Sequence, residues 1–382
     1  MHNGYIYLDN SAGSWPKPPR VAQAMAEALT AYGANPGRGN YALTRQTAAL
    51  VEEAREETAE FFGLPDPKRV VFTSGATMSL NMAINGLLSP DDILLLAGME
   101  HNAVSRPAAA LADEGKIELR EVIADSRGEL RAAEIGEQLR RRPRPALLAL
   151  THGSNVCGSV APLTAIALQA KRRRVPLLLD ASQTAGLFPV HMRRLAISAC
   201  AVAGHKALYG PAGVGALLLS AKTDPRPLIF GGTGSRSEER EQPRELPEHL
   251  EAGSINVPGI AGYLAGLRFV KEIGVSTLYA KAMALTEQLR QGAGNIPGVR
   301  LYGRPQLPVL SLNIEGKDPG EVAALLDSRY HICVRSGYHC APAAHRALGT
   351  LEAGTVRFSP GWFNTREDIE AALTALSEIA KS

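Results

Sequence analysis

Short apolar runs alternate with amphipathic segments through the first two thirds of the chain. The runs occur in RVVFT, DILLL, ALLAL, VPLLL and ACAVA. Apolar runs of this kind, separated by helical patterns, are typical of strands buried on both faces of a mostly parallel sheet. The segment from Leu43 to Phe62 has apolar positions at helical spacing and is followed by Gly63 and Pro65, so it predicts a helix that ends there. The pattern therefore predicts an α/β fold.

Polar residues able to do chemistry follow these runs. In open α/β sheets, ligands bind outside the carboxyl ends of the strands. The segments that we expect to meet at one site are 74–77, 100–101, 151–155, 180–183 and 204–206.

The C-terminal third has a different character. The segment 231–256 is polar and rich in Gly and Pro, which predicts a long loop with a functional or interfacial role. After it, helical patterns and the runs VLSLNIEG and TVRFSPG predict a smaller α+β domain. We therefore expect a large domain over 21–255 and a small domain formed by 1–20 with 256–382.

Charge and cysteine content exclude several classes of protein. The 382 residues include 41 basic and 38 acidic side chains, a balance that argues against nucleic acid as a partner. Four cysteines are too few for a disulfide framework, and none are spaced as C-x-x-C, so we predict no metal site. No run approaches membrane-spanning length, and the first residues lack a signal-peptide pattern. We expect a cytoplasmic enzyme without a membrane partner.

The expected strand ends combine groups that suit one cofactor. A helix beginning near Gly75 and Thr77 offers free N–H groups to a phosphate. Lys206 can form a Schiff base, and Asp180 can keep a pyridine nitrogen protonated, which makes the ring an electron sink. Together with the imidazole of His101, these groups predict pyridoxal 5'-phosphate (PLP).

Nine motifs in order resemble the cysteine desulfurases of the class V aminotransferase family, whose PLP-dependent fold is type I. They are YLDNSAGSWPKP, FTSGATMSLN, MEHNAV, THGSNVCGS, LLLDASQTAG, GHKALYGPAGVG, LEAGSINVPG, RSGYHCAP and TVRFSPGWFN. This resemblance covers nearly the whole chain. It implies a large, mostly parallel-sheet α/β/α domain and a smaller α+β domain.

The resemblance implies roles around the cofactor ring. Lys206 would hold the cofactor covalently and move protons. Asp180 would pair with the pyridine nitrogen, and Gln183 would donate a hydrogen bond to the phenolic oxygen. His101 would stack on the ring and assist proton transfer.

The resemblance also implies a phosphate site. Thr77, His205 and the N–H groups near Ala76 would bind the phosphate. Ser254 would reach the phosphate of the other protomer, which implies a homodimer. The family usually has Ser or Thr where this chain has Ala203, so one hydroxyl contact would be absent and the other donors would suffice.

The cysteine Cys340 lies between Gly-Tyr-His and Ala-Pro, which predicts a loop. By resemblance, Cys340 would take sulfur from L-cysteine as a persulfide and leave L-alanine, while Asn155 and Arg357 would hold the substrate carboxylate. Arg335, His339 or the bound substrate and cofactor are candidates for stabilising the thiolate of Cys340.

The spacing of the cysteine loop indicates a subgroup. Arg357 lies 17 positions after Cys340, which resembles the second group of desulfurases, the short-loop Suf-type and selenocysteine lyase-like enzymes. Such enzymes often need a dedicated acceptor protein. The alternatives left open are L-selenocysteine as substrate, another C–S lyase, a class V aminotransferase, or a scaffold without turnover.

Overall fold

The structure is a computed structural model that describes residues 4–36, 39–236 and 238–382. The strands are β1 Ile6–Tyr7, β2 Val70–Thr73, β3 Asp92–Leu96, β4 Ile117–Glu121, β5 Leu147–Thr151, β6 Leu177–Asp180, β7 Ala199–Ala203, β8 Gly215–Leu219, β9 Val299–Tyr302, β10 Leu310–Ile314, β11 Ile332–Cys333, β12 Arg335–Gly337 and β13 Thr355–Phe358. The helices are α1 Pro19–Thr30, α2 Ala42–Phe62, α3 Ala76–Leu87, α4 Asn102–Asp113, α5 Ala132–Arg140, α6 Leu163–Arg173, α7 Met192–Leu195, α8 Val257–Ile273, α9 Val275–Gly294, α10 Pro319–Tyr330, α11 Pro342–Leu348 and α12 Arg366–Lys381.

Seven strands form the large sheet, in the order β2-β8-β7-β6-β5-β3-β4. The strands from β7 to β4 are parallel to one another, while β8 pairs antiparallel with both β7 and β2. The carboxyl ends of β3, β5, β6 and β7 therefore lie at one edge, as the sequence pattern predicts.

Alternate residues of these strands face two separate layers of helices. On one face, Leu148 and Leu179 pack in a core that includes residues of α2, α5, α6 and α8. On the other face, Leu147 and Leu178 pack with residues of α3 and α4. The sheet is buried on both sides, which explains why its strands are apolar runs rather than alternating ones.

The smaller sheet is antiparallel and has four strands, in the order β12-β13-β10-β9. Its core includes residues of α9, α10 and α12. The two-residue strand β1 pairs in parallel with β11, so the N-terminal segment joins this part of the chain. The α/β class is confirmed, and the two sheets have the arrangement that the resemblance implies.

The helix α8 follows the long loop but packs with the large sheet. Its residues Ile260, Tyr263 and Leu267 belong to the same buried core as α2 and β7. The division into 21–255 and 1–20 with 256–382 stays a prediction, and the contacts of α8 favour a boundary that lies C-terminal to this helix.

The predictions for the end of α2 and for the long loop agree with the structure. Helix α2 ends at Gly63, whose φ of 66° is the left-handed conformation that favours glycine. The part of 231–256 that the structure describes contains neither an α-helix nor a β-strand. Among the described residues, no helix is both long and apolar enough to cross a membrane.

One prediction concerns the buried ion pair between Arg55 of α2 and Glu251. Their side chains are 3% and 6% exposed, and Nη2 of Arg55 lies 2.6 Å from Oε2 of Glu251. Oε1 of Glu251 also accepts a hydrogen bond of 2.5 Å from the N–H of Phe72. Replacing Glu251 by Ala removes the buried carboxylate partner of Arg55 and leaves only the half-exposed Glu52, 3.3 Å from Nε, as a carboxylate contact, so we expect a loss of about 3 kcal/mol, measured by urea unfolding.

The matched control is Glu53→Ala. Glu53 forms an ion pair with Arg268, and its side chain is 51% exposed. We expect a change below about 1 kcal/mol, because exposed ion pairs contribute little. Equal unfolding midpoints for the two variants would contradict the role of the buried pair.

Candidate active site

The strand ends of the large sheet meet at a cavity of about 280 Å³. The structure brings nine residues predicted from the sequence to its walls. They are Ala76, Thr77, His101, Asn155, Asp180, Gln183, His205, Lys206 and Arg357.

The first turn of α3 forms one wall of the cavity. Gly75 precedes the helix with a φ of 147°, a conformation that residues with a side chain rarely adopt. The N–H groups at the start of a helix have no intrahelical partner, and the helix dipole favours an anion there. Ala76 and Thr77 therefore offer donors suited to a phosphate.

The carboxylate of Asp180 is fixed at the end of β6. Its Oδ1 accepts hydrogen bonds from the N–H and the hydroxyl of Ser182, at 2.9 and 2.5 Å. Gln183 is fixed by a 3.0 Å hydrogen bond from its Nε2 to the carbonyl oxygen of Ser11. Both side chains therefore face the cavity in a defined orientation.

Lys206 follows β7 in the loop that begins at Gly204. Burial lowers the pKa of Lys206 to about 8, and the negative charge of Asp180 opposes this shift. The amine can therefore gain or lose a proton near neutral pH.

His101 connects β3 to the N-terminus of α4. Its Nδ1 accepts a 3.0 Å hydrogen bond from the N–H of Ala103, so the neutral ring carries its proton on Nε2. Burial, followed by the charge of Lys206, lowers the pKa of His101. The imidazole is therefore favoured in its neutral form.

Arg357 lies in β13 and is fully buried. Its Nη2 forms an ion pair with Asp9, and its Nη1 donates a 3.1 Å hydrogen bond to the carbonyl oxygen of Asn155. Its Nε has no partner among the described residues. The guanidinium of Arg357 therefore has hydrogen-bonding capacity that the protein does not use.

Cys340 lies in the loop between β12 and α11, as predicted. His339 and Cys340 have φ values of 50° and 58°, a region that non-glycine residues rarely adopt and that is common at functional sites. The carbonyl oxygen of Cys340 accepts a 2.7 Å hydrogen bond from the N–H of Asn102, and that of His339 accepts one of 2.6 Å from Nδ2 of Asn155. The loop is thus bonded to both sides of the cavity.

Arg335 is the cation beside the thiol of Cys340. Its Nη2 lies 3.4 Å from Sγ of Cys340, and its side chain also lines the cavity. Burial, followed by the charge of Arg357, lowers the pKa of His339 to about 2, so this imidazole stays neutral. The ring points instead to Thr355, with 3.0 Å between Nε2 and Oγ1. Of the two protein side chains considered, Arg335 is therefore the one that can stabilise a thiolate.

The donor set of the cavity fits PLP. Thr151 Oγ1 and His205 Nδ1 are buried there without a partner among the described residues, so they are free to bind an added group. Asp180 and Lys206 supply the carboxylate and the amine. Ala203 lines the same wall and offers no hydroxyl. Among the described residues, no group of three or more His, Cys, Asp or Glu is placed to bind a metal ion.

Ser254 lies apart from the other predicted residues. It lines a neighbouring cavity of about 250 Å³, and its hydroxyl accepts a 2.8 Å hydrogen bond from Nδ2 of Asn35. Its contact with a second protomer stays a prediction, as do the roles of the other residues toward cofactor and substrate.

The sequence pattern places Thr151 in the segment 151–155 expected at the site, but it gives neither Thr151 nor Arg335 a definite role. Arg335 received no definite role, although it pairs directly with Arg357 in the antiparallel register of β12 and β13. Thr151 is the last residue of β5 and lies beside Asp180 in the parallel register. The strand pairings that bring both residues to the site are long-range contacts, which a local sequence pattern does not contain.

Comparisons with known proteins identify the family of this chain. Residues 6–372 match the sequence profile of the class V aminotransferases. A probable cysteine desulfurase from Methanothermobacter thermautotrophicus is 34% identical over 384 residues, covering 98% of this chain and 95% of the relative. One from Pyrococcus abyssi is 31% identical, covering 99% and 94%.

Solved structures show the same similarity. The apo structure of the cysteine desulfurase from Thermococcus onnurineus NA1 superposes with a TM-score of 0.92 and 30% identity, covering 99% of this chain and 95% of that one. The cysteine desulfurase CsdA from Escherichia coli, with an S-sulfonic acid, gives 0.89 and 26%, covering 100% and 96%. The profile match and the near-full-length identities show that this chain belongs to the class V aminotransferase family, among the cysteine desulfurases.

Proposed function

We propose that this chain is a PLP-dependent cysteine desulfurase that converts L-cysteine to L-alanine and receives the sulfur on Cys340. The observation that carries this proposal is the 3.4 Å contact between Cys340 Sγ and Arg335, whose side chain lines the same cavity as Lys206 and Asp180. Relatives named cysteine desulfurase, similar over nearly the full length, support it.

The residues that would hold the cofactor line this cavity. PLP, when bound, supplies an electron sink for the electron pair released at the substrate α-carbon. Asp180 would hold the pyridine nitrogen, and Ala76, Thr77 and His205 would bind the phosphate. Lys206 would hold the cofactor and carry the α-proton on Nζ.

Arg357 would bind the substrate carboxylate through its guanidinium, because this residue lines the cavity. A buried guanidinium with an unsatisfied donor gains most from an anionic partner, because the hydrogen bond is charge-assisted. Asn155 lies next to it and would complete the carboxylate site. L-Selenocysteine carries the same carboxylate and would fit the same recognition.

Sulfur transfer would then occur at Cys340. The thiolate of Cys340 attacks the substrate sulfur, forming an S–S bond while the substrate C–S bond breaks. The electron pair of the broken bond goes to the β-carbon, which takes a proton and becomes the methyl group of L-alanine. The sulfur is oxidised to the persulfide level and the carbon is reduced, so no external oxidant is needed.

The same proposal includes the oligomeric state, the sulfur acceptor and the location of the protein. We expect a homodimer in which Ser254 reaches the partner's phosphate site, and an acceptor protein that collects the persulfide sulfur. The described cysteines are all free thiols, which suits the cytoplasmic location expected from the sequence.

The first prediction of the proposed function concerns Cys340. Replacing it by Ala should reduce alanine release from L-cysteine, in the presence of a reductant, by at least about 100-fold, because the nucleophile is lost. Bound PLP should remain, since Cys340 is not among the residues expected to hold it. Alanine is measured by chromatography and PLP by absorbance.

The matched control is Cys333→Ala, which removes another half-buried thiol from the same part of the chain. We expect its alanine release to stay near that of the wild type. Equal alanine release by Cys340→Ala and wild type would instead favour a lyase or aminotransferase that does not use the loop cysteine.

A second prediction concerns Arg335. A neighbouring cation favours the thiolate form of a cysteine, so Arg335→Gln should slow the reaction of Cys340 with iodoacetamide at pH 7 by about 3- to 10-fold. The rate is measured by mass spectrometry of the Cys340 peptide. The control is Arg346→Gln, which changes an exposed arginine of α11. If both variants react like the wild type, Arg335 does not activate the thiol.

A third prediction follows from the lowered pKa of Lys206. Its folded-state pKa of about 8 means that the amine loses its proton as pH rises through that value, well below the ordinary lysine value of 10.5. In cofactor-free protein, carbamylation of Lys206 by cyanate should therefore reach half of its maximal rate near pH 8. Peptide mass spectrometry follows the reaction, and the exposed Lys222 in the same digest reports the pH response of the reagent. Identical pH profiles for the two lysines would refute the effect of burial.

A further inference from the structure

Lys17 is a half-buried lysine of the N-terminal segment between β1 and α1 that the proposed function does not use. Its Nζ donates one 2.8 Å hydrogen bond to Oγ of Ser14 and another 2.8 Å hydrogen bond to the carbonyl oxygen of His205. Among the described residues, it has no carboxylate within ion-pair distance. An ammonium group bonded to neutral oxygens is costly to bury, so its position needs a reason.

Ser14 extends this contact to Lys206. The side chain of Ser14 is buried, and its Oγ donates a 2.9 Å hydrogen bond to the carbonyl oxygen of Lys206. The backbone N–H of Ser14 donates a 3.0 Å hydrogen bond to the carbonyl oxygen of His205. Both carbonyl groups of the His205–Lys206 pair are therefore fixed by the segment that contains Lys17.

The charge of Lys17 also acts on His205. Burial, then the charge of Lys206, then that of Lys17 lower the pKa of His205 to about 4. His205 stays neutral near pH 7, and its buried Nδ1 has no partner among the described residues. The geometry and the charge of Lys17 thus converge on the two adjacent residues that face the cavity.

The geometry points to Lys17 as a positioning residue that, through Ser14, fixes the backbone of His205 and Lys206 for cofactor binding. This role rests on the proposed function, because it takes Lys206 as the residue that holds PLP. Lys17 touches neither the cavity nor the reacting atoms, so it acts through the residues that do.

The test compares Lys17→Met with Lys17→Arg and with the control Lys271→Met. Lys271 is a partly exposed lysine of α8 whose ion pairs with Glu57 and Glu60 lie on the surface. PLP retention is measured by equilibrium dialysis, and the orientation of bound PLP by its visible circular dichroism per bound molecule. PLP is achiral, so this signal comes from the residues around it.

We expect Lys17→Met to retain PLP about 10-fold more weakly, as for the loss of hydrogen bonds from a charged donor. At saturating PLP, its dichroism should change and its kcat should fall by about 10-fold or more, since a misplaced lysine slows the reaction. Lys17→Arg, which keeps the charge and the donors, should recover most of the PLP retention, the dichroism and the kcat. Lys271→Met should match the wild type.

The role is overturned if Lys17→Met matches Lys271→Met in PLP retention, dichroism and kcat. If Lys17→Met also lowers the thermal unfolding midpoint, Ser14→Ala decides, because it keeps Lys17 and removes the hydroxyl that bonds to Lys206. Unchanged dichroism in Ser14→Ala then overturns the role, and an altered signal supports it. PLP retention and dichroism do not depend on turnover, so a wild type that binds PLP without desulfurating L-cysteine would contradict the proposed function alone.

Discussion

The hydrogen bond from the N–H of Asn102 to the carbonyl oxygen of Cys340, 2.7 Å long, joins the two parts of the molecule where the chemistry is expected. Asn102 begins α4 next to His101, and Cys340 follows β12 of the smaller sheet. A second link, from Asn155 to the carbonyl oxygen of His339, is 2.6 Å long. These two bonds hold the loop in a backbone conformation that is unfavourable for residues with side chains, so that the thiol lies beside the cavity.

The electrostatics of the cavity depend on burial of its cations. Lys206, Arg335 and Arg357 converge on a site whose carboxylates are Asp180 in the cavity wall and Asp9, the ion-pair partner of Arg357. Burial lowers the pKa of Lys206 and of Arg357; Asp180 and Asp9 respectively oppose this shift, and the neighbouring arginines add to it. An anionic cofactor and an anionic substrate would relieve this excess of positive charge, which is why the cavity suits both.

Much of the fold follows from local pattern. The runs around Leu148 and Leu178 are apolar throughout because both faces of their strands are covered, and the polar residues that follow them mark the site edge. The pattern could not tell which layer α8 joins, because an amphipathic helix after a long loop can pack on either sheet. The pattern also did not identify β4 as a strand, because β4 is a half-exposed edge strand with the sequence IELRE rather than an apolar run.

The sequence predicts some residues of the site better than others. Residues at the ends of apolar strands, such as Asp180 and Lys206, could be identified because strand ends converge by topology. Arg335 was harder, since its importance comes from its antiparallel pairing with Arg357 and its contact with Cys340, which are long-range properties. The roles of Asn155 and His339 in fixing the loop depend on backbone carbonyl groups, which no side-chain motif reveals.

The most direct measurement is to follow the sulfur itself. The protein, with PLP, is incubated with L-cysteine isotopically labelled at sulfur and without reductant, and its peptides are examined by mass spectrometry. The account predicts one labelled sulfur atom on the peptide containing Cys340, in amounts matching the alanine formed, and none on the peptide containing Cys333. Alanine formation without label on Cys340 would contradict it.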